Sequence, residues 1–546
     1  MLRAHRYRDI QSALVAALMV GACSGGGGDS APSAGTGTAP STPPAPPGLV
    51  SAASAFTTTC AGVPNPGTLY VNAEVEPHIA INPANPNNLI GTWQQDRWSN
   101  GASQGIAVGV SFDAGATWAS RPLAVSRCGG GNAANGGEYE RASDPWVTFS
   151  PNGIAYQLSL GVSGAQFEAG AISAMLVSRS TDGGRSWANP VALIRDGAPF
   201  LNDKNSITAD ATDSRYVYAV WDRVSTDNRG PTLFARTTDG GTTWEPARVT
   251  YDPGVGNQTI GNIIAVLPDG SLINFFTQLN TAGASLAGSF AVMRSADKGL
   301  TWSTPITISS FLGIGTRDPE TGAAIRDSGS LGQISVGPQG QLYVVWQDAR
   351  FSNGARDAIA FSRSIDGGST WTAPLRVNAD ASVQGLIPSV NARADGTIGV
   401  SYFDMRSNTV DPTTLLTDYW LATSRDGVNW TDRRISAPFD LTLAPVARGY
   451  FLGDYMGLTS AGANFYPLYV RTNNANVANR NDVFMTPIYV PIGTTDAGAA
   501  VGAADFVETM VSPAFQQRVH ENIVRQMERR VPGWAKLRGL NGTAPP

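Results

Sequence analysis

Six copies of one short motif punctuate the chain, and their spacing constrains the fold more than any other feature. They read SFDAGATW (111–118), STDGGRSW (180–187), TTDGGTTW (237–244), SADKGLTW (295–302), SIDGGSTW (364–371) and the shortened SRDGVNW (424–430). Their aspartates, Asp113, Asp182, Asp239, Asp297, Asp366 and Asp426, fall roughly 57 to 69 residues apart, the length of one supersecondary unit repeated along an array. An Asp in a tight turn accepts backbone N–H bonds, and the Gly after it takes up the positive φ that the turn needs. A Ser or Thr two residues before the Asp, and in most copies another before the Trp, adds hydroxyls that satisfy further backbone groups. The spaced acidic ligands and closing Glu of a calcium loop are missing from all six copies.

Each motif sits inside a longer pattern, clearest around the fifth copy as GQISVGPQG, QLYVVWQDAR, DAIAFSRSIDGGSTW and TAPLRVN. Alternating apolar residues and Gly turns predict four strands per unit, A to D, with the motif at the C to D turn. Strand A begins near Pro77, Asp144, Lys204, Gly261, Leu331, Ile387 and Asp454, which makes seven units. The last unit has no motif and one strand too few, and the segment 68–75 is expected to supply the missing strand.

The motif resembles the Asp box, or bacterial neuraminidase repeat, of sialidases, sortilin-type receptors, xyloglucan-active glucanases and a photosystem assembly protein. That resemblance implies an all-β fold, a β-propeller of four-stranded blades, with seven blades preferred. Six is the alternative, because familiar sialidases have six blades and also end in one without the box. It further implies that the six aspartates are structural. The same propeller hosts enzymes, receptors and chaperones, so it specifies a fold more than a function.

The flanks carry different signals. Arg3, Arg6 and Arg8 precede an apolar run over 13–22, too short to span a membrane and in keeping with a signal peptide. The run ends in Val20, Gly21, Ala22 and Cys23, which resembles a bacterial lipobox and implies lipidation at Cys23, with export to the outer membrane or cell surface. Residues 24–50 are almost wholly Gly, Ser, Ala, Thr and Pro and read as a disordered tether. The expected organisation is a signal peptide over 1–22, a tether over 23–50, the propeller over 51–494 and a C-terminal appendage over 495–546. In that appendage the apolar positions of 505–531 recur at helical spacing, with a break at Pro513. Cys60 and Cys128 remain outside the lipobox, and export favours a disulfide between them over two separate buried thiols.

Composition narrows the chemistry. A net charge of -5 over 546 residues argues against a nucleic-acid partner. The three histidines, His5, His78 and His520, form no zinc pattern, and no Walker loop or GxSxG elbow occurs, so neither metal nor cofactor is expected.

Successive turns alternate between the two faces of such a fold, so the B to C and D to A loops share the face opposite the Asp boxes. A rigid scaffold that presents polar loops there is where binding groups concentrate. The ends of strand B repeat an acid and a base: Asp96 and Arg97, Asp222 and Arg223, Asp348 and Arg350, Asp404 and Arg406. Such repetition reads as ion pairing between blades, since a catalytic residue is needed once. The non-repeated loop residues give the candidate site: Asp144, Glu76 and Tyr455 for catalysis, with Arg141, Arg326 and Arg350 for an anionic ligand. Sialidase resemblance implies an Asp acid/base, a Tyr nucleophile activated by Glu, and three arginines on a sugar carboxylate. The chain departs from that pattern where it reads Val75, Glu76 and Pro77 in place of Arg, Ile and Pro. Two functions remain open: a surface glycoside hydrolase of exo-sialidase type acting on sialylated or other acidic glycans, and a non-catalytic propeller binding glycan or protein at the same mouth. Carboxylates each paired with their own arginine would favour the second.

Overall fold

The computed structural model describes residues 48–492, apart from 57–59, 61–62, 65–66, 284 and 475, together with residues 511–540. These residues belong to one compact unit. The expected signal peptide, Cys23 and the expected tether up to residue 47 lie outside the described residues, as does the 505–510 part of the expected helix.

Successive meanders of four antiparallel strands run along the chain. The first comprises Val75–Ile81, Leu89–Trp98, Ser103–Ser111 and Ala119–Pro122. Equivalent meanders begin at Arg141, Phe200, Gln258, Gln333 and Gly385. One backbone pairing, Ser103 with Ala142, joins the first two into a continuous nine-stranded sheet. A final sheet holds Gly457–Ala461, Asn464–Thr472 and Asn481–Met485. Its outer strand is Gly48–Leu49, paired with Met485 and Phe484. This corrects the expected strand donor: in 68–75, Leu69 and Tyr70 pair with Trp98 and Arg97 of the first sheet, and only Ala73 bridges to Asn481 of the last. Residues 48 and 49, read from composition as tether, are thereby part of the folded unit.

Burial follows strand order. Second and third strands such as Leu89–Trp98 and Ser103–Ser111 are buried along their whole length, whereas the fourth strand Ala119–Pro122 is exposed throughout. Those outer edges carry Arg121, Arg195, Arg248, Arg376 and Arg433, charges that discourage further strand pairing. Trp93, Trp221 and Trp346 of the second strands are fully buried and fill the space between sheets. The first strand of each meander packs against the first strand of the next, and Gly457 of the last sheet lies against Ile79 of the first.

The repeated turn closes locally, as its residues predict. In the fifth copy Asp366 accepts from Ser364 Oγ at 2.7 Å, from the Thr370 amide at 2.9 Å and from Thr370 Oγ1 at 2.6 Å. Those bonds hold all of these aspartates below the usual carboxylate range, Asp113 and Asp239 at about 2. The turn also fastens neighbouring sheets. Gly241 sits so close to Tyr156 of the preceding sheet that a Cβ there would come within 2.6 Å of its ring, and Tyr156 donates to the Gly240 carbonyl at 2.8 Å.

The C-terminal segment folds as a helix α1, Pro513–Arg530, and a short helix α2, Trp534–Leu537. Pro513, the site of the expected break, is the first residue of α1: Ser512 caps the first turn, and a proline there gives up an N–H that had no partner. The buried side of α1 carries Phe515, Val519, Ile523, Val524 and Met527. They join the same hydrophobic core as Trp221, Phe290 and Trp346.

Candidate functional site: a sealed axial charge cluster

Five first strands share one irregularity that the sequence did not announce. Their register slips by one residue between Val75 and His78, Ser143 and Trp146, Asp203 and Ser206, Ile260 and Ile263, and Leu386 and Ser389. In each slip one residue takes positive φ: Glu76 (54°), Asp144 (51°), Lys204 (43°), Gly261 (67°) and Ile387 (51°). A bulge of this kind turns a side chain away from the alternation of its strand. For residues other than glycine the conformation is costly and persists only where surrounding structure enforces it.

The first three bulges bring their side chains to one point. Lys204 Nζ lies 2.9 Å from Asp144, 3.2 Å from Glu76 and 2.8 Å from Asp454. Arg326 grips Asp454 through two parallel bonds of 3.0 and 2.7 Å and stacks on Phe451, 4.1 Å from the ring centre. All five charged residues are buried. Arg530 and the buried Asp203 stand beside these five, and burial of so many charges favours one retained proton. Burial and the neighbouring carboxylates raise Glu76 to about 8, while Lys204 and a bond from Glu76 hold Asp144 below its ordinary value. The proton thus resides on Glu76, with Asp144 ionised, the reverse of the expected assignment of Asp144 as the acid. Tyr455 is buried, its ring against Trp146 and its hydroxyl donating to the Pro145 carbonyl at 3.2 Å. Burial pushes this phenol well above its usual range and keeps it protonated.

The arginines do not gather as expected. Only Arg326 reaches the cluster. Arg141 stacks on Trp98 at 4.4 Å and donates to Asn100 and the Gly101 carbonyl, in the turn between the second and third strands of the first meander. Arg350 is held by Asp348 in its own turn and by Ser309 and the Ser310 carbonyl. The reading of the strand B repeat as pairing between blades is corrected as well. Asp348 with Arg350 and Asp404 with Arg406 pair inside single turns, because two intervening bonds suffice for the guanidinium to fold back on its own strand end. Asp96 binds Ser54, the Asn72 amide and Gln104, while Arg97 donates to Gln94. Asp222 is buried and forms no ion pair with Arg223, which reaches Asp196 instead.

Over this cluster lies α1. Asn522 donates to the Gly313 carbonyl at 3.0 Å, Gln526 accepts from the Ser330 amide at 2.8 Å, and Trp534 of α2 donates to Gln258 at 2.6 Å. Gly315, at φ 81°, admits this close approach, since a Cβ there would meet Asn522 Oδ1 at 2.5 Å. Arg448 caps the carbonyls of Glu528 and Arg529 at the helix end, and Arg530 extends to within 3.8 Å of Asp454. Apart from Gln258, the first residue of its strand, these partners fall on D to A loops, the face opposite the repeated turns. Lys204 and Asp454 were legible as polar loop residues, but nothing local marked them as the centre, and Arg530 carried no signal at all.

Cys60 and Cys128 form a disulfide with Cα atoms 5.5 Å apart. Among the described residues no group of three or more His, Cys, Asp or Glu side chains is placed to hold a metal ion.

No protein family and no curated protein matches this chain. Solved structures with which it shares a similar course include a protein of unknown function from Dyadobacter fermentans, at 14% identity and TM-score 0.43, covering 77% of this chain and 95% of that one. Another is the Hadza microbial sialidase Hz136, at 15% identity and TM-score 0.42, covering 73% and 76%. A third is the GH93 α-L-arabinofuranosidase of Fusarium graminearum, solved with arabinobiose, at 14% identity and TM-score 0.39, covering 60% and 88%. Likeness at this level assigns no chemistry to the present chain.

Proposed function

We propose that the protein is a lipid-anchored, exported β-propeller of seven blades that binds glycans on the loops of its mouth and does not cleave them. The observation that carries the non-catalytic part is the sealed axis. Glu76 and Asp144 share Lys204, Asp454 is taken by both Lys204 and Arg326, and α1 lies across them, so no substrate bond can be brought to a carboxylate. The lipobox at Cys23 and the glycine- and proline-rich stretch behind it support a tether that holds the mouth away from a membrane.

A glycan array and a fluorogenic sialoside, both applied to the intact protein, test this reading. Retained glycans without turnover are expected, and turnover by the intact chain would overturn it. Cys23→Ser is expected to release the protein from the detergent phase into the aqueous phase.

A second reading, the glycoside hydrolase of exo-sialidase type, is favoured by one observation. Two adjacent carboxyl groups are pushed apart in acidity, Glu76 to about 8 and Asp144 downward, as an acid and its ionised partner must be. On this reading α1 is a removable plug. Trp534→Ala, which deletes the anchor of α2, would then elicit sialoside turnover that the intact chain lacks.

A further inference from the structure

A cavity of about 530 Å³ opens where α1 meets the loops of the fifth and sixth sheets, away from the axial cluster. Its volume falls within the range of small-ligand sites. Four guanidinium groups line it: Arg317 and Arg356 from the loops, Arg518 and Arg525 from α1. The two on the helix are seven residues apart and so share one face. Ile314, Val383 and Met405 supply an apolar part of the wall.

The arginines are not there to neutralise the lining carboxylates. Arg317 donates to the Gly322 carbonyl, Arg356 to the Ala381 carbonyl, and Arg525 to the Ile314 carbonyl and Asn522 Oδ1. The two acidic residues in the wall are engaged elsewhere. Asp318 accepts from the Glu320 and Thr321 amides and from the Thr321 hydroxyl, and Glu521 accepts from Gln517. Each guanidinium thus keeps donors free toward the cavity, since the group carries five N–H bonds. Burial lowers Arg525, and the charge of Arg317 beside it adds to the effect, a cost that a bound anion would relieve. This arrangement contrasts with Arg326 and Arg350, each of which is closed off by a bidentate carboxylate.

We propose that this cavity binds the carboxylate groups of an acidic oligosaccharide, with Arg317 and Arg525 as the principal anchors and α1 as one wall. Planar guanidinium forks match carboxylates through paired bonds, and the apolar patch suits the face of a sugar ring. A nucleic acid is disfavoured by the overall charge of -5. The proposal rests on the glycan-binding reading and gives α1 a role beyond covering the axis.

The test is calorimetric titration of the full chain with trigalacturonate and with 3′-sialyllactose, using maltotriose and lactose as uncharged counterparts. Binding of at least one acidic sugar is expected, with no binding of its neutral counterpart. Arg317→Gln and Arg525→Gln should each weaken it tenfold or more, with thermal midpoints confirming that both variants fold. Absence of binding to both acidic sugars, or unchanged affinity in both folded variants, would overturn the site. The array separates the two levels. Glycans retained equally by wild type and Arg317→Gln leave the glycan-binding reading standing and remove this cavity from it, whereas an array with no retained glycan removes both.

Discussion

The two faces of the molecule use the same residue, aspartate, in opposite ways. On the turn face six aspartates lie at the surface, four exposed and two half-buried, each surrounded by the hydroxyls and amides of its own turn, and five of them are held at about 2. On the mouth face Asp144 and Asp454 are buried with Glu76, Lys204 and Arg326, and burial keeps one proton on Glu76. The first environment is built from neighbours in sequence and repeats. The second is built from strands of different sheets and occurs once. A carboxylate in the first is a fastener whose loss water can make good, whereas in the second every charge depends on the others.

The largest expected effect follows from removing the shared cation. Lys204→Met leaves Glu76, Asp144 and Asp454 around an uncharged side chain, and breaking a buried ionic network in this way costs about 3 to 5 kcal/mol. Denaturant unfolding of the variant measures it, and a loss below about 1 kcal/mol would mean that the cluster is wet and the axis open.

The next largest concerns the disulfide, which ties the entry segment to the loop before the second sheet. Its cysteines stand 68 residues apart. The chain-entropy account allows roughly 4 kcal/mol for a loop of that order, so Cys60→Ser with Cys128→Ser should lower the thermal midpoint markedly under oxidising conditions. Wild type in reductant should fall to the same midpoint.

A third prediction uses pH. Glu76 binds its proton more tightly folded than unfolded, so its contribution to stability is complete below about pH 4.5 and is lost as pH rises toward about 8. Glu76→Gln cannot lose a proton. Its stability relative to wild type should therefore grow across that window by about 1 kcal/mol per pH unit and level off above it. A difference that stays flat from pH 5 to 8 would show that Glu76 is ionised throughout and that Lys204 alone balances it.

The smallest effect belongs to the turn face. Asp366→Ala removes acceptors from an exposed turn whose amides water can reach, so the loss should be below about 1 kcal/mol. This is less than burial of those amides would entail, and sugar binding at the mouth should be unchanged.

What could be read in advance divides along the same line. The four-strand period, the positions of the first strands and the side on which Glu76, Asp144 and Asp454 emerge follow from apolar alternation and turn order. The bulges that aim Glu76, Asp144 and Lys204 at one point were not legible. A one-residue slip inverts the alternation, but here it falls within a few residues of the strand's start, where too little strand precedes it for the inversion to show, and nothing in EPH, SDP or DKN differs from ordinary strand entry. Arg141, Arg326 and Arg350 were grouped because their loops share a face, but a face is wide, and each found a nearer partner before it could reach the others.

The sequence by itself determined the repeated turns, since Ser364, Asp366, Gly368 and Thr370 hold, within seven residues, every donor and acceptor that the turn requires. It likewise determined that α1 is an amphipathic helix, because its apolar residues recur at the helical period. Only the tertiary structure decided where that helix lies. Its bonds join Asn522 to Gly313 and Gln526 to Ser330, about two hundred residues apart. A helical stripe specifies that a surface must be covered, while the shape and polar groups of distant loops select which surface it is.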